Sequence, residues 1–433
     1  MQTIRTIALA EHVGARVTLE GWLHQQRTLG GITFLVIRDG WGTAQAVTED
    51  PAALAPLAGL LSETVLAVEG TVTAEPQAPG GIELRDLAVR AITPVGEALP
   101  FAVNKRVLKT GLDTFLDHAP VGLRNPRQRA IFRLGAGIMA AFRAFLDGEG
   151  FTEIQSPKLV ASATESGANV FPVDYFGQRA FLAQSPQFYK QMMVGVFGRV
   201  YEVGPVFRAE PHATARHVNE YVSLDAEMGF IADHFTVMAL LTRLLRAVVE
   251  HLAARYPAEL ALLEVTLPVV PATIPLLPFR AVQELLSTQL GVECRGEPDL
   301  APEHERRLGA WARATHGSDW LFVPGYPMVK RPFYTHPDPA DPTVSNSFDL
   351  LFRGTELVTG GQRLHRYADY LAALARAGLA PGPFAAYLEA MRYGMPPHGG
   401  FAIGLERFLL QLTGRSNIRE VTLFPRDLTR LAP

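Results

Sequence analysis

Two strand-like runs between residues 199 and 230, "RVYEVGPVFRAE" and "YVSLDAEMGF", are joined by a segment whose charge constrains the whole chain. Arg208, Glu210, His212, Arg216 and His217 fall within a few positions of one another in an otherwise apolar region. Such a pair must bury one face and keep the other against something polar. That suits an antiparallel sheet with one working face better than a parallel sheet buried on both sides. The later runs "SNSFDLLFRGTELVTGG" and "HGGFAIGLERFLLQL" are strand-like and charged in the same way, and helical spacing alternates with them along the rest of the chain.

At 433 residues, 48% hydrophobic and 19% charged, the chain exceeds what one core organises, and two domains or more are expected. From about residue 14 to residue 95 run "RVTLEGWLHQQR", "ITFLVIRDG", "GTAQAVTED", "TVLAVEGTVTAE" and "GIELRDLAVRAITPV", separated by Gly, Pro and Asp turns. This is the pattern of a small all-β barrel. A helical interruption at 51–62, "PAALAPLAGLLS", between the third and fourth strands is what an OB-fold would show. After a connector, "AIFRLGAGIMAAFRAFLDGEG" has helical apolar spacing and ends on Gly150. The expected division is an OB-fold barrel at 1–98, a hinge or connector at 99–125, and at 126–433 an α+β domain built on an antiparallel sheet flanked by helices.

The single cysteine, Cys294, excludes an internal disulfide, and no Cys/His cluster has zinc spacing. The N-terminus lacks a secretory pattern, and no apolar run reaches the ~18 residues of a membrane span. A cytoplasmic protein with no membrane partner is expected. A net charge of −3 argues against gripping nucleic acid by bulk charge, without excluding a local basic groove.

Three ordered segments carry a resemblance. "GFTEIQSPKL" (150–159), "FRAE" followed by "ARHVNEYVSLDAEM", and "GGFAIGLERF" (399–408) are similar to motifs 1, 2 and 3 of class II aminoacyl-tRNA synthetases, in the right order. The flanking "ATESGANVF", "QSPQFYKQ" and "FDLLFRGTELVTGGQRLHRY" narrow the resemblance to aspartyl-tRNA synthetases of the short archaeal type. The large insertion domain of typical bacterial aspartyl enzymes has no room here. Each motif alone is commonplace: a solvated hairpin, a strand-to-helix turn, a strand with polar residues. Their order, with the barrel upstream, is specific and covers nearly the whole chain.

The chemistry agrees with the resemblance. A nucleoside triphosphate carries about four negative charges, and adenylate formation adds more at the α-phosphorus and leaving pyrophosphate, so several arginines and a metal are needed. The resemblance implies that Arg208 holds the α-phosphate and substrate carboxylate, and that Glu210 accepts from the adenine amino group. Arg216 and His217 would reach the terminal phosphates, with Ala209 and Val218 in the same ATP-binding run. Tyr221 and Arg407 would enclose the adenine, and Gly404, Leu405 and Glu406 would accompany them in motif 3. Arg208, Glu210 and Arg407 are thus the expected catalytic group. Glu356 and Thr359 are implied as Mg²⁺ ligands, with threonine where the family has serine; oxygen donors suit that hard ion.

For the amino acid, the resemblance implies a cationic pocket of Lys190 and Arg363 around the aspartate carboxylate. Asparaginyl relatives lack the lysine at the position of Lys190. Glu165, Ser185, Gln187 and Asp225 are implied around the α-ammonium, with Gln184, Pro186 and Thr359 also in the aspartate-binding set. Glu165 belongs to a loop, "TESGANV", expected to close over bound substrate. Pro157 of motif 1 is implied at a dimer interface. In the barrel, Phe34 and Gln45 match the family's anticodon readers, with Arg27 and Glu83 beside them, as single-stranded RNA recognition requires. His24 and Pro79 stand where discriminating enzymes carry Trp and Lys, which implies acceptance of both tRNA(Asp) and tRNA(Asn).

The reading is a homodimeric enzyme that uses ATP and Mg²⁺ to join L-aspartate to tRNA, and an Asp-tRNA(Asn) amidotransferase is implied as a partner. The alternatives are a discriminating aspartyl enzyme, an asparaginyl enzyme or asparagine-making paralogue, and a non-catalytic RNA-binding relative.

Overall fold

The structure, a computed structural model, describes residues 2–162, 169–211 and 214–432, so Glu165 and His212 lie outside the described residues. The chain divides into two compact units, Met1–Arg129 and Ala130–Pro433, with segment 99–125 on the side of the first.

In the first unit, β1 (Gln2–Ile4), β2 (Arg16–Leu29), β3 (Ile32–Arg38), β4 (Thr43–Thr48), β5 (Val65–Ala74) and β6 (Ile82–Thr93) form one sheet. Its order is β1-β2-β3-β4-β6-β5, and β2 also pairs with β5, which closes a barrel. The length of β2 makes closure possible: Arg16 to Trp22 pair with β5, while Trp22 to Leu29 pair with β3. Leu19, Leu35, Ile37, Ala46, Val68 and Leu84 fill the core. The helical interruption is shorter than expected, Pro51–Leu54 followed by Ala55–Leu57. Asp50 starts it by accepting from the Ala52 amide at 2.8 Å, and the chain turns away at Gly59, φ +76°.

One extra residue interrupts the β2–β3 ladder: Leu23 pairs with Ile37 but Gln25 pairs with Val36, so His24 is bulged. Because strand side chains alternate, everything beyond the bulge changes face. Arg27 therefore stands opposite Phe34, its guanidinium carbon 5.0 Å from the ring centre.

The long helix Pro126–Gly148 begins inside "NPRQR", with asparagine at the cap and proline at the first helical position. The Asn125 carboxamide oxygen accepts from the Arg127 amide at 2.9 Å, and its NH₂ donates to the carbonyls of Val103 and Lys105, both at 2.8 Å. Two short helices, Leu112–Asp117 and Ala119–Gly122, also occupy the expected connector.

The second unit adds β7 (Thr152–Glu153), β8 (Leu159–Val160), β9 (Pro172–Tyr175), β10 (Gln178–Leu182), β11 (Arg199–Phe207) and β12 (Glu220–Gly229). After them come β13 (Trp320–Pro324), β14 (Ser347–Phe352), β15 (Thr355–Gln362) and β16 (His398–Gly404). Seven strands form its main sheet, β13-β14-β15-β16-β12-β11-β7; β7 runs parallel to β11 and the remaining pairs are antiparallel. One face carries Leu224, Ala226, Phe401, Ile403, Val358 and Phe348 into a core shared with helices Pro126–Gly148, His234–Arg255 and Leu405–Thr413. The alternate positions leave the other face polar, as expected. Among the described residues no helix is long and apolar enough to cross a membrane.

Asn125 is 2% exposed and joins three backbone groups to one helix start. Asn125→Ala is expected to destabilise the first unit by about 1–3 kcal/mol, seen as a lower urea midpoint for barrel unfolding.

Candidate functional site

On the polar face of the seven-stranded sheet, β12 presents Ser223, Asp225 and Glu227 at alternate positions. Helix Gln187–Phe197 supplies Lys190, and Arg363 follows directly on β15. Lys190 Nζ donates to Asp225 Oδ1 at 2.9 Å and to the Phe401 carbonyl at 3.3 Å, and lies 3.4 Å from Glu227 Oε2. Arg363 Nε donates to Glu227 Oε1 at 2.9 Å, and an Nη donates to the Gly400 carbonyl at 3.2 Å. The Ser223 hydroxyl donates to Asp225 Oδ2 at 2.5 Å. Exposure is 1% for Lys190, 1% for Asp225, 0% for Glu227 and 7% for Arg363.

A lone buried charge costs several kcal/mol, so this cluster is tolerable only because two cations and two anions compensate one another. Burial is the largest influence on Glu227 and would raise its pKa, yet Arg363 and Lys190 hold the carboxyl below the ordinary range. Burial likewise opposes the Arg363 charge, and Glu227 holds its pKa up. Gly400 leaves the space: a Cβ there would lie 2.2 Å from Glu227 Oε2 and 2.1 Å from the Ala226 carbonyl oxygen.

Above the cluster opens a cavity of about 390 Å³. Lys190 and Arg363 line it, whereas Asp225 and Glu227 do not. Arg208, Glu210, Arg216, His217, Val218 and Tyr221 reach it from the charged loop and β12. Asn219 clasps that loop, its NH₂ donating to the Arg208 carbonyl at 2.7 Å while the Arg208 amide donates to the Asn219 carbonyl at 2.9 Å. Arg216 donates to Glu305 Oε2 at 3.3 Å, and the Glu356 amide donates to the same oxygen at 2.9 Å. The Arg208 guanidinium carbon lies 5.8 Å from the Tyr221 ring centre.

On the opposite wall, Glu356 and Thr359 are three residues apart, a spacing that puts side chains on opposite faces of a regular strand. Leu351 pairs with Glu356 but Leu350 with Val358, so Leu357 is an extra residue that brings them into phase. The Thr359 hydroxyl donates to Glu356 Oε1 at 3.0 Å. Arg407, from the first turn of helix Leu405–Thr413, donates to the Glu356 carbonyl at 2.9 Å and lies 3.6 Å from its carboxylate. Asp349, the cross-strand partner of Thr359, accepts from Arg331 at 3.2 and 3.1 Å. Burial and the nearby Glu356 push the Asp349 pKa up, against the pull of Arg331.

The first unit has its own groove, a cavity of about 820 Å³. It is lined by Arg27, Phe34, Gln45, Pro79 and Glu83 together with Arg85. Gln45 Nε2 donates to Glu83 Oε2 at 2.9 Å. Phe34 is half-buried and outside the barrel core. His24 is not among the lining residues. The bulge turns it inward, where it is 8% exposed and its Nδ1 lies 3.6 Å from Glu63 Oε1.

The family model described as tRNA synthetases class II (D, K and N) matches residues 112–428, and one described as OB-fold nucleic acid binding domain matches residues 17–90. The chain belongs to the class II tRNA synthetases (D, K and N). It is 47% identical over 433 residues to "Aspartate--tRNA(Asp/Asn) ligase" of Deinococcus radiodurans, covering 99% of this chain and 98% of that protein. The ligase of the same name from Thermus thermophilus is 47% identical over 428 residues, covering 98% of each. The solved asparaginyl-tRNA synthetase of Pyrococcus horikoshii, complexed with asparaginyl-adenylate, superposes with a TM-score of 0.90 at 30% identity, covering 98% of this chain and 97% of that one.

In this class II synthetase most of the expected ATP and aspartate residues converge on one cavity: Gln187, Thr359 and Gly404 line it with those already placed. Ala209, Leu405, Gln184, Ser185 and Pro186 are not among its lining residues, and Glu165 lies outside the described residues. Pro157 is exposed, just beyond β7. Glu406 lines the cavity but turns its carboxylate to the backbone: both oxygens accept from the Val222 amide at 3.1 Å, tying the motif 3 helix to β12. The sequence reading missed Glu227, Asn219, Glu305, Arg331 and Asp349. Glu227 was accessible to it, being two residues beyond Asp225 on the same face; Glu305 and Asp349 act across distant segments and leave no local trace.

Burial raises the Glu406 pKa to about 7, above the ordinary 4.5. A carboxyl whose folded pKa is raised loses stability as pH climbs from the unfolded value through the folded one. Glu406→Gln should therefore gain on the parent enzyme progressively between pH 5 and pH 8, by up to about 3 kcal/mol, read as the pH dependence of the thermal midpoint. Separately, Gly400→Ala should displace Glu227 and lower amino-acid-dependent ATP–pyrophosphate exchange at least about tenfold, with the barrel's unfolding unchanged.

Proposed function

We propose that this class II synthetase activates L-aspartate with ATP and transfers the aspartyl group to tRNA(Asp) and to tRNA(Asn). The observation that carries the reading is the arrangement of the buried cluster: its two cations line the cavity and its two anions stand behind them. A substrate carboxylate would find the remaining donors of Arg363 and Lys190 already oriented, and a neutral carboxamide would leave them poorly matched. The names of the two bacterial relatives support tRNA(Asp) and tRNA(Asn) as joint acceptors, and Pro79 in the groove agrees with relaxed reading.

In the proposed first step the aspartate α-carboxylate attacks the α-phosphorus of ATP in line, and pyrophosphate leaves. Arg208 would hold the α-phosphate and the attacking carboxylate together. Arg216, anchored by Glu305, would reach the terminal phosphates with His217. Arg407, anchored on the Glu356 carbonyl, would face Tyr221 across the adenine. In the second step the 3′-hydroxyl of the terminal adenosine attacks the aspartyl carbonyl and AMP leaves. Catalysis on this reading is positioning and charge stabilisation.

Glu356 and Thr359 fit a hard cation, being oxygen donors 3.0 Å apart on the cavity wall. Among the described residues no group of three or more His, Cys, Asp or Glu is arranged to hold a metal, so phosphate and water would complete the shell. Mg²⁺, when bound, offsets the phosphate charge that grows as pyrophosphate leaves. The proposal extends to a cytoplasmic homodimer with Pro157 at its interface, and to an amidotransferase that consumes Asp-tRNA(Asn).

Exchange of labelled pyrophosphate into ATP should depend on aspartate and fall by about 10²-fold or more in Lys190→Met, with Arg363→Met alike. Exchange driven by asparagine instead of aspartate would overturn the substrate assignment. Wild-type enzyme should charge transcripts of both tRNAs, and His24→Trp with Pro79→Lys should lose tRNA(Asn) selectively. Charging of tRNA(Asp) alone by the wild type would remove the dual-acceptor reading and leave the first step intact.

A further inference from the structure

Glu83 and Gln45 are partners in the parallel pairing of β4 with β6, so their side chains stand together on the groove wall, and Arg85, two residues on, shares that face. Both are enclosed, Glu83 at 2% and Gln45 at 7% exposure. With Gln45 on Oε2, Glu83 Oε1 accepts from Arg85 Nε at 2.8 Å. An Arg85 Nη reaches on to Glu75 Oε2 at 3.1 Å. Glu75 in turn opens the turn that carries Pro79: its amide donates to the Gly81 carbonyl at 2.9 Å, its carbonyl accepts from the Ala78 amide at 2.9 Å, and its Oε1 accepts from the Gln77 amide at 3.2 Å. One chain of side chains thus runs from the Pro79 turn through Glu75, Arg85 and Glu83 to Gln45.

We propose that Arg85 is a positioning residue for anticodon reading, which holds Glu83 so that Gln45 presents one fixed edge to a base and which couples that edge to the Pro79 turn. The inference rests on the groove being the anticodon site of the proposed enzyme. An ionised carboxylate only accepts hydrogen bonds, so Gln45 must turn its NH₂ toward Glu83 and show its carbonyl oxygen elsewhere. That choice holds only while Glu83 cannot rotate. Both Glu83 oxygens are engaged, one by Gln45 and the other by Arg85. Removing Arg85 frees Glu83 to turn, and with it the Gln45 amide to flip. The bridge also uses the flat guanidinium fork: Nε and one Nη both lie 2.8 Å from Glu83 Oε1 while that Nη reaches on to Glu75, and a single ammonium cannot hold Glu83 from two directions in this way. Arg85 has a second possible task, since Glu49, Asp50 and Asp86 also line the groove and its charge offsets theirs; the two tasks differ in what they do to discrimination.

The test is kcat/KM of the full enzyme for tRNA(Asp) transcripts, native and singly substituted at each anticodon position, with Arg85→Met, Arg85→Lys and Glu75→Gln. For Arg85→Met the preference for the native base should fall about tenfold at one anticodon position, carried mainly by KM for tRNA. Arg85→Lys should behave like Arg85→Met, and Glu75→Gln should shift the same preference by a smaller factor. Aspartate-dependent ATP–pyrophosphate exchange needs no tRNA and should stay at the wild-type rate in all three, and an unchanged urea midpoint for barrel unfolding reports that the first unit folds. A uniform loss on every transcript, with the preference unchanged, would assign Arg85 to bulk electrostatics and overturn the inference, as would wild-type behaviour of Arg85→Lys. Absence of aspartate-dependent exchange from the wild type itself would instead sink the functional reading on which the inference stands.

Discussion

Four charges inside a protein have to be arranged before anything else near them can be. Lys190, Asp225, Glu227 and Arg363 come from a helix, a central strand and the end of its neighbour but one, and each is tolerable only because the others stand at hydrogen-bond distance. The cluster accounts for Gly400, and close backbone approach accounts for its neighbouring glycines in β15 and β16. Besides Gly400, a Cβ at Gly361 would meet the Asn346 carbonyl oxygen at 2.8 Å and one at Gly399 the Gly361 carbonyl oxygen at 2.6 Å. Behind the cations, the hydroxyls of Tyr370 and Tyr387 donate to Gln191 Oε1 at 3.0 and 2.6 Å. Beside them burial pushes the His398 pKa down to about 4, so the imidazole is neutral and adds no fifth charge.

Two single-residue bulges do comparable work in the two units. The one at His24 puts Arg27 over Phe34, and the one at Leu357 puts Glu356 beside Thr359. In each case a regular strand would have sent one member of the pair into the opposite face. The same bulge leaves His24 out of the groove lining and beside Glu63, so in the proposed choice between tRNAs it acts through neighbours and not by touching a base.

Much of this was open to reading from residues alone. The barrel, the working face and the cavity's arginines follow from alternation, turn residues and three ordered motifs. "NPRQR" sits at the end of the expected connector, whereas the long helix starts at its proline, ahead of the apolar spacing that begins at "AIFRL"; in the barrel, apolar spacing continues to Leu61 although the helix ends at Leu57 and Gly59 has already broken it. What stayed hidden depends on register across distant segments. The bulges show no composition of their own, and the anchoring of Arg216 by Glu305 joins positions 89 residues apart. Nor does motif 3 by itself show that Glu406, which lines the cavity, also holds the Val222 amide.

The two polar sites differ in how much water reaches them, and that separates their response to ionic strength. The cluster of four charges is almost wholly enclosed, whereas the Arg85 side chain in the groove is 48% exposed. Dissolved ions screen charges they can approach, over roughly 8–10 Å at physiological salt, and leave enclosed pairs nearly untouched. Added salt should thus loosen the grip on a polyanionic partner well before it disturbs recognition of a small amino acid. A chain with a net charge of −3 would then hold its two substrates by forces that a change of buffer can pull apart.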